Sequence, residues 1–254
     1  MSDAHKLLAA DSFRVRGRGE EAAVRGFERH LARFAGAASA AWRENVPVTD
    51  PDAVAAKIAA FIAASREHIA AAGDGFPRLE LWRFPGEREP RFELALRPLP
   101  PLASAIALSS APGGPLPHAE RKGPNIAAYA SLRRELLSEP LLLDSAERVL
   151  EGATTSLIWW DPATGVGAFS ALPDRVPSIT EALIRDATQL EPRVVTLAQL
   201  AEHEIWAVNA LHGIRQVTHI DGVSYPEPDM TRLARVQRML DRRWEPVRVA
   251  AARN

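Results

Sequence analysis

The chain contains no cysteine, which excludes disulfide frameworks, thiolate metal sites and cysteine nucleophiles. Lysine is nearly absent: among 31 basic residues only Lys6, Lys57 and Lys122 are not arginine. Neither sign of charge is in excess, with 31 basic and 32 acidic residues and a formal net charge of -1. That balance argues against a dedicated nucleic-acid binder, which carries a basic surplus. No apolar run approaches the roughly 18 residues of a membrane-spanning helix. The opening MSDAHKLLAADSF lacks the basic start and apolar stretch of a secretory signal. These absences lead to the expectation of a cytoplasmic protein with neither nucleic-acid nor membrane partners.

What is present is ordinary for a globular chain of 254 residues, 46% of them hydrophobic and 25% charged. The length suits one or two domains with a full core. With arginine as the default cation, each lysine calls for a separate reading, because lysine can lose its proton and attack a carbonyl while arginine cannot.

Hydrophobic spacing predicts a helix from about Ala22 to Ala41, with Phe27, Leu31, Phe34 and Ala38 on one face. A second helix begins at Thr49-Asp50-Pro51 and stops at Gly73, with Val54, Ile58, Ile62 and Ile69 as its stripe. A hairpin is expected from Arg78–Phe84 and Arg91–Pro98, then a strand over Leu102–Leu108. The Pro- and Gly-rich segment Ser109–Pro124 marks a domain boundary. Beyond it, a helix over Ile126–Leu137 precedes strands near Leu141–Leu143, Arg148–Leu150, Ser156–Trp160, Gly167–Ser170, Arg193–Thr196, Ile205–Val208 and Ile214–Ile220. Helices start at Ser178 and cover Asp229–Trp244. The fold class is α+β: a small α/β domain (1–112), a linker (113–124) carrying Lys122, and a larger strand-rich domain (125–254).

Five segments could carry chemistry. Lys122 in RKGPN sits where a linker meets a helix; burial there would lower its pKa and make it a Schiff-base former. From this segment alone, a solvated loop lysine is the plainer reading. Glu151 opens EGATTS, a carboxylate followed by small residues that suit close approach by a flat ligand, or simply a surface turn. Ser178 and Glu181 form an S-x-x-E capping box; its free amides at Ile179 and Thr180 could receive an anion, though most such boxes bind nothing. Asn209–Arg215 (NALHGIR) joins two strands and could offer amides to an anion or merely connect them. His30 and Arg33 lie three apart on a helix face, where arginine can grip phosphate or face solvent. His203, His212 and His219 have no metal-site spacing, and no metal is expected.

Taken in order, these segments resemble the class IV aminotransferases, the fold-type IV family of pyridoxal-phosphate enzymes. That family includes D-amino acid and branched-chain aminotransferases and 4-amino-4-deoxychorismate lyase. The likeness spans about Asp11 to Gly222 and is strongest over RHLARF, KGPN-IAAYASLRRE, LLLDSAERVLEGATTSLIWW, RVPSITEALIRDA and EIWAVNALHGIRQVTHIDG. It implies a strand-rich, pseudo-barrel second domain and pyridoxal 5'-phosphate as cofactor. Lys122 would carry the cofactor as a Schiff base, Glu151 would pair with the ring nitrogen, and Arg33 would bind the phosphate. Thr155, Ser156, Ile179, Thr180, Asn209 and Ala210 would complete the cofactor site, with Arg97 and His212 on the substrate side.

The sequence departs from the family at several points. Ala9-Ala10-Asp11-Ser12-Phe13 stands where relatives carry a GDG-aromatic run, and a tyrosine found in several aminotransferases is replaced near Ala10. Ser156 replaces a frequent Asn, Pro98 follows Arg97 in place of a frequent Gly, and the family's opening strands are expected to be missing. The resemblance therefore implies transfer of an amino group between an amino acid and a 2-oxo acid. A lyase releasing pyruvate and 4-aminobenzoate from an amino-chorismate is the alternative, and an inert scaffold of the same fold the third. A small-molecule substrate and a homodimer are implied.

Overall fold

The computed structural model of the protein describes residues 5–46 and 50–247. Strands β1 (Lys6–Ser12), β2 (Val15–Arg16) and β3 (Ala23–Arg25) precede helices α1 (Phe27–Asn45) and α2 (Pro51–Ala72). Strands β4 (Arg78–Arg83), β5 (Arg91–Ala95) and β6 (Ala105–Ala111) lead to helix α3 (Ile126–Leu136). Then come β7 (Glu139–Leu143), β8 (Val149–Gly152), β9 (Ser156–Trp160) and β10 (Gly167–Ser170). Helix α4 (Ile179–Arg185) is followed by β11 (Leu190–Arg193), β12 (Glu204–Asn209), β13 (Gly213–Ile220) and β14 (Val223–Ser224). Helix α5 (Met230–Asp241) and β15 (Trp244–Pro246) close the described chain. No helix among the described residues is long and apolar enough to cross a membrane.

Two compact units form. The first holds the chain up to Pro101, the short segment Arg121–Pro124 and the chain from Arg243 onward. The second holds Leu102–Glu120 and Asn125–Arg242. The expected boundaries at 112 and 124 differ from these for reasons of pairing. β6 lies between β13 and β7 in the second unit's sheet, so the chain changes unit before the Pro- and Gly-rich segment. Arg121–Pro124 returns to the first unit, where the Ala10 amide donates to the Lys122 carbonyl at 2.7 Å. β15 pairs with β3, which carries the C-terminal segment back as well.

In the first unit β1, β4 and β5 make an antiparallel sheet in that order. Its core is the apolar face of α1 and α2. Phe27, Leu31, Phe34, Ala38 and Trp42 from α1, and Val54, Ile58 and Ile69 from α2, are buried with Leu79 and Leu81 of β4. Phe92 of β5 stacks on Phe61 at 4.9 Å. The second helix keeps its expected ends: the Asp50 carboxylate accepts from the Asp52 amide, and the Gly73 amide donates to the Ile69 carbonyl. Thr49, expected to begin it, lies outside the described residues. The first helix begins at Phe27 rather than Ala22, because residues 23–25 instead pair with β2 and β15. An opening strand is also present, in contrast to expectation: β1 supplies the sheet edge that contacts Lys122.

The second unit is a mixed nine-stranded sheet, ordered β11-β10-β9-β12-β13-β6-β7-β8 with β14 on β13. It curls as a half-barrel in an α+β fold. Successive side chains of a strand face opposite sides, so neighbouring residues of β9 separate. Trp159 joins Leu141, Leu157, Ile205, Ala207 and Val217 on one face. Ile158 and Trp160 join Trp206, Val208 and Ile214 on the other, under Leu183 and Ile184 of α4 and Val236 and Leu240 of α5.

Candidate active site

The expected site residues fall into two sets, one in each unit. In the first unit the backbone of Lys122 is fixed on three sides. Its carbonyl accepts from Ala10. Arg121, before it, is buried and grips the Glu44 carboxylate of α1 through both terminal nitrogens, at 2.7 and 2.5 Å. Gly123, after it, has φ 134°, and a Cβ there would come within 2.8 Å of the Ala9 and Ala10 backbone. Only glycine lets the two segments approach this closely.

The amine of Lys122 shares its surroundings with Arg33, Asp11, Arg97 and Arg78. Desolvation first, then the positive charge of Arg33, brings its pKa down from 10.5 to about 8. Asp11 pulls the other way, as an opposite charge must. A lysine so placed holds a useful fraction of free amine near neutral pH.

Asp11 itself is completely buried. Its Oδ2 accepts from Arg33 Nε at 2.7 Å and its Oδ1 from Arg33 Nη2 at 2.9 Å. Oδ1 also meets His30 Nδ1 at 2.8 Å. Burial opposes the carboxylate's charge, but Arg33 and His30 outweigh it and hold Asp11 well below the usual carboxylate range. An ionised carboxylate only accepts, so His30 Nδ1 carries the donated hydrogen. Burial keeps His30 below its ordinary pKa against the pull of Asp11. Arg33, expected to bind phosphate, thus has one edge of its guanidinium committed to Asp11.

Arg97 donates from Nε to the Phe76 carbonyl at 3.0 Å and from Nη2 to Ser12 Oγ at 3.1 Å. Burial, then the nearby Arg78 charge, lowers its pKa. Arg78 is itself paired with the buried Glu80.

The second set is held mainly by backbone amides. Glu151, on β8, is buried and accepts from the Val176 amide at 3.0 Å. Its charge reaches Tyr129 of α3, whose phenol is pushed up to about 12 by burial and then by Glu151. The Gly152 and Thr155 backbones bond each other in a tight turn. A side chain at Gly152 would collide with Thr155 Oγ1, and that hydroxyl is buried with no partner among the described residues. Ser156 is buried opposite Val208 of β12.

Ile179 and Thr180 are the buried first residues of α4, and Ser178 Oγ accepts from the Glu181 amide at 3.2 Å. The far half of the expected capping box is turned to another use: the Glu181 carboxylate takes the Arg175 guanidinium at 2.7 and 3.0 Å. A full charge is a stronger partner for a buried carboxylate than one amide. Asn209 folds its own loop: Oδ1 accepts from the Leu211 and His212 amides, and Nδ2 donates to the Thr154 carbonyl. Ala210 lies in that loop. His212 Nδ1 accepts from the Ala103 amide at 3.2 Å.

Asp11 and Glu80 are the charged residues that local motifs did not single out. Their signal is a lone acid inside an otherwise apolar strand, AADSF and LEL. No group of acids and histidines that could hold a metal ion occurs among the described residues.

Residues 9–220 match the family model described as amino-transferase class IV. No curated protein sequence matches the chain significantly. Several solved structures share its fold. A fold IV-transaminase from Curtobacterium pusillum is 21% identical, covering 92% of this chain and 84% of its own, with a TM-score of 0.71. A candidate 4-amino-4-deoxychorismate lyase from Legionella pneumophila is 14% identical over 92% of this chain and 90% of its own, with a TM-score of 0.69. A hypothetical aminotransferase from Mycobacterium tuberculosis in its PLP-bound form is 18% identical over 92% and 87%, with a TM-score of 0.67.

Proposed function

The chain belongs to the class IV aminotransferase family of enzymes, whose cofactor is pyridoxal phosphate, and from that premise we propose that it transfers an amino group between an amino acid and a 2-oxo acid with Lys122 as its reactive amine. The carrying observation is Lys122 itself: an amine brought to about pH 8 by burial and neighbouring cations on a backbone fixed from three sides. The residues present fit pyridoxal phosphate. An aldehyde calls for a free amine, a pyridinium for a buried carboxylate, and a ring or phosphate oxygen for an unsatisfied hydroxyl. Lys122, Glu151 and Thr155 are of these kinds.

When bound, the cofactor supplies an electron sink for bond breaking at the substrate α-carbon. The protein's own groups do the rest. Lys122 Nζ would take the proton from the substrate α-carbon and return it, a positioned transfer worth about 10²- to 10⁴-fold. Glu151, held by the Val176 amide, keeps a negative charge for the ring nitrogen. Arg33 is assigned to the phosphate, with Ile179, Thr180, Asn209 and Ala210. Ser156 is assigned to the ring. Arg97, which among the described residues bonds a carbonyl and a hydroxyl, is assigned to the substrate carboxylate with His212. A homodimer is the proposed assembly, checked by light scattering.

The test is spectroscopic. The protein loaded with pyridoxal phosphate should be yellow, and borohydride should fix the cofactor on the peptide carrying Lys122. Fixation on Lys6 or Lys57 instead, or undiminished fixation in Lys122→Ala, refutes the assignment.

One observation favours a second reading, the lyase. Ala10 is 2% exposed and its amide bonds Lys122, so the position where several aminotransferases carry a phenol is a packed methyl group. Pyruvate release from aminodeoxychorismate, without amino transfer to any 2-oxo acid, would select that reading. An inert scaffold is disfavoured, since packing alone does not call for an amine desolvated beside arginines.

A further inference from the structure

The first unit contains a buried charge with no part in the reaction just proposed. Asp11 sits at the end of β1, one residue beyond the amide that bonds the Lys122 carbonyl. It holds the Arg33 fork through two bonds and His30 through a third. We propose that Asp11 is a positioning residue, which fixes the plane of the Arg33 guanidinium and supplies the counter-charge to the cations gathered around Lys122. This rests on the reading of Lys122 as the reactive amine.

The geometry has a reason beyond packing. A fully buried carboxylate is expensive unless paired and hydrogen-bonded, and a charge-balanced Asp11–Arg33 pair could be replaced by apolar residues of similar volume at little cost. Here the pair lies beside the lysine. Among the described residues, the charged and titratable groups within electrostatic reach of the amine are Asp11 from β1, Arg33 and His30 from α1, Arg78 from β4 and Arg97 after β5. Three are permanent cations, and Asp11 is the acid among them that counters their effect on Lys122. Because Nε and Nη2 of Arg33 both point at Asp11, the plane of the guanidinium is fixed.

The scarcity of lysine provides the test. The full chain, without cofactor, is reductively methylated with ¹³C-formaldehyde and titrated by NMR. Lys6 and Lys57 act as internal controls for Lys122. In Asp11→Asn the Lys122 midpoint should fall by about one pH unit, the lower end of what an adjacent opposite charge contributes. Lys6 and Lys57 should not move. In Arg33→Gln it should rise. Folded variants in which Lys122 titrates as in the wild type overturn the proposal.

Should Asp11→Asn fail to fold, Asp11→Glu decides. It keeps the charge but displaces the carboxylate, so the Lys122 midpoint should hold while pyridoxal phosphate binds about tenfold more weakly, a change of ~1.4 kcal/mol. Both readouts moving together, or neither moving, marks Asp11 as a packing residue. A wild-type chain that takes up no pyridoxal phosphate counts against the proposed function alone, because the amine titration needs no cofactor.

Discussion

The two units hold the residues of their expected sites in different ways. In the first, charged side chains bond charged side chains: Asp11 with Arg33, Arg121 with Glu44, Arg78 with Glu80. In the second, the expected site residues are tied to main chain: Glu151 to the Val176 amide, Asn209 to its own loop, Ser178 to the Glu181 amide. Side-chain charges held close together change one another's proton affinity, and the depressed Lys122 and the completely buried, depressed Asp11 are both in the first unit. Amide anchoring fixes direction without supplying a charge that can be lost. On the proposed function, the first unit would set reactivity and the second geometry.

Four predictions probe that contrast, in decreasing order of expected effect. Lys122→Ala should lower the turnover of whichever reaction the enzyme performs by at least about 10²- to 10⁴-fold. Steady-state rates with a panel of amino donors check this, and retention of activity would move the reactive centre elsewhere. Arg33→Ala leaves the Asp11 charge buried without its fork. Denaturation of the cofactor-free chain should show a loss of about 3–5 kcal/mol, with Arg33→Lys recovering part of it, since an ammonium keeps charge but not planarity. An unchanged denaturation midpoint would mean that Asp11 is satisfied without Arg33.

Lys122→Met should have the opposite sign. The folded chain releases the Lys122 proton near pH 8, whereas an unfolded lysine keeps it to about 10.5. The penalty is therefore complete below pH 8 and fades as pH rises between the two values. Methionine removes it, so the cofactor-free variant should be more stable than wild type by about 2 kcal/mol at pH 7, after allowance for solvent screening. That gain should vanish toward pH 10.5. A pH-independent difference would show that packing, not charge, is responsible. The smallest effect belongs to the second unit. Ser178→Ala removes an N-cap and should cost about 1 kcal/mol at every pH above the carboxylate range. A pH-dependent cost would blur the distinction between the units.

The same contrast explains what the sequence disclosed. The cap at Asp50, the cap at Ser178, the Asn209 loop and most strands of the second unit are local, and local patterns recorded them. Glu151 stood out in a short motif that read equally as a surface turn, and its burial depends on the Val176 amide 25 residues on. Asp11 did not stand out, because its importance depends on His30 and Arg33 some twenty positions later and on a segment near residue 122. β3 was read as helix for the same reason: it is too short for a period and exists only through its pairing with β2 and the distant β15. The unit boundaries depend on β6 and β15, two strands whose partners are remote in sequence.

The bond between the Ala10 amide and the Lys122 carbonyl also has a mechanical side. β1 is the edge strand of its sheet, and a load applied to the start of the chain would peel it from β4 one pairing at a time. Lys6, Leu7 and Ala9 must leave Arg83, Trp82 and Leu81 before Ala10 leaves Glu80. A fused tag or an anchored bead tugging on that end would spend its work on those outer pairings first, and the lysine would stay in register until the fourth gave way.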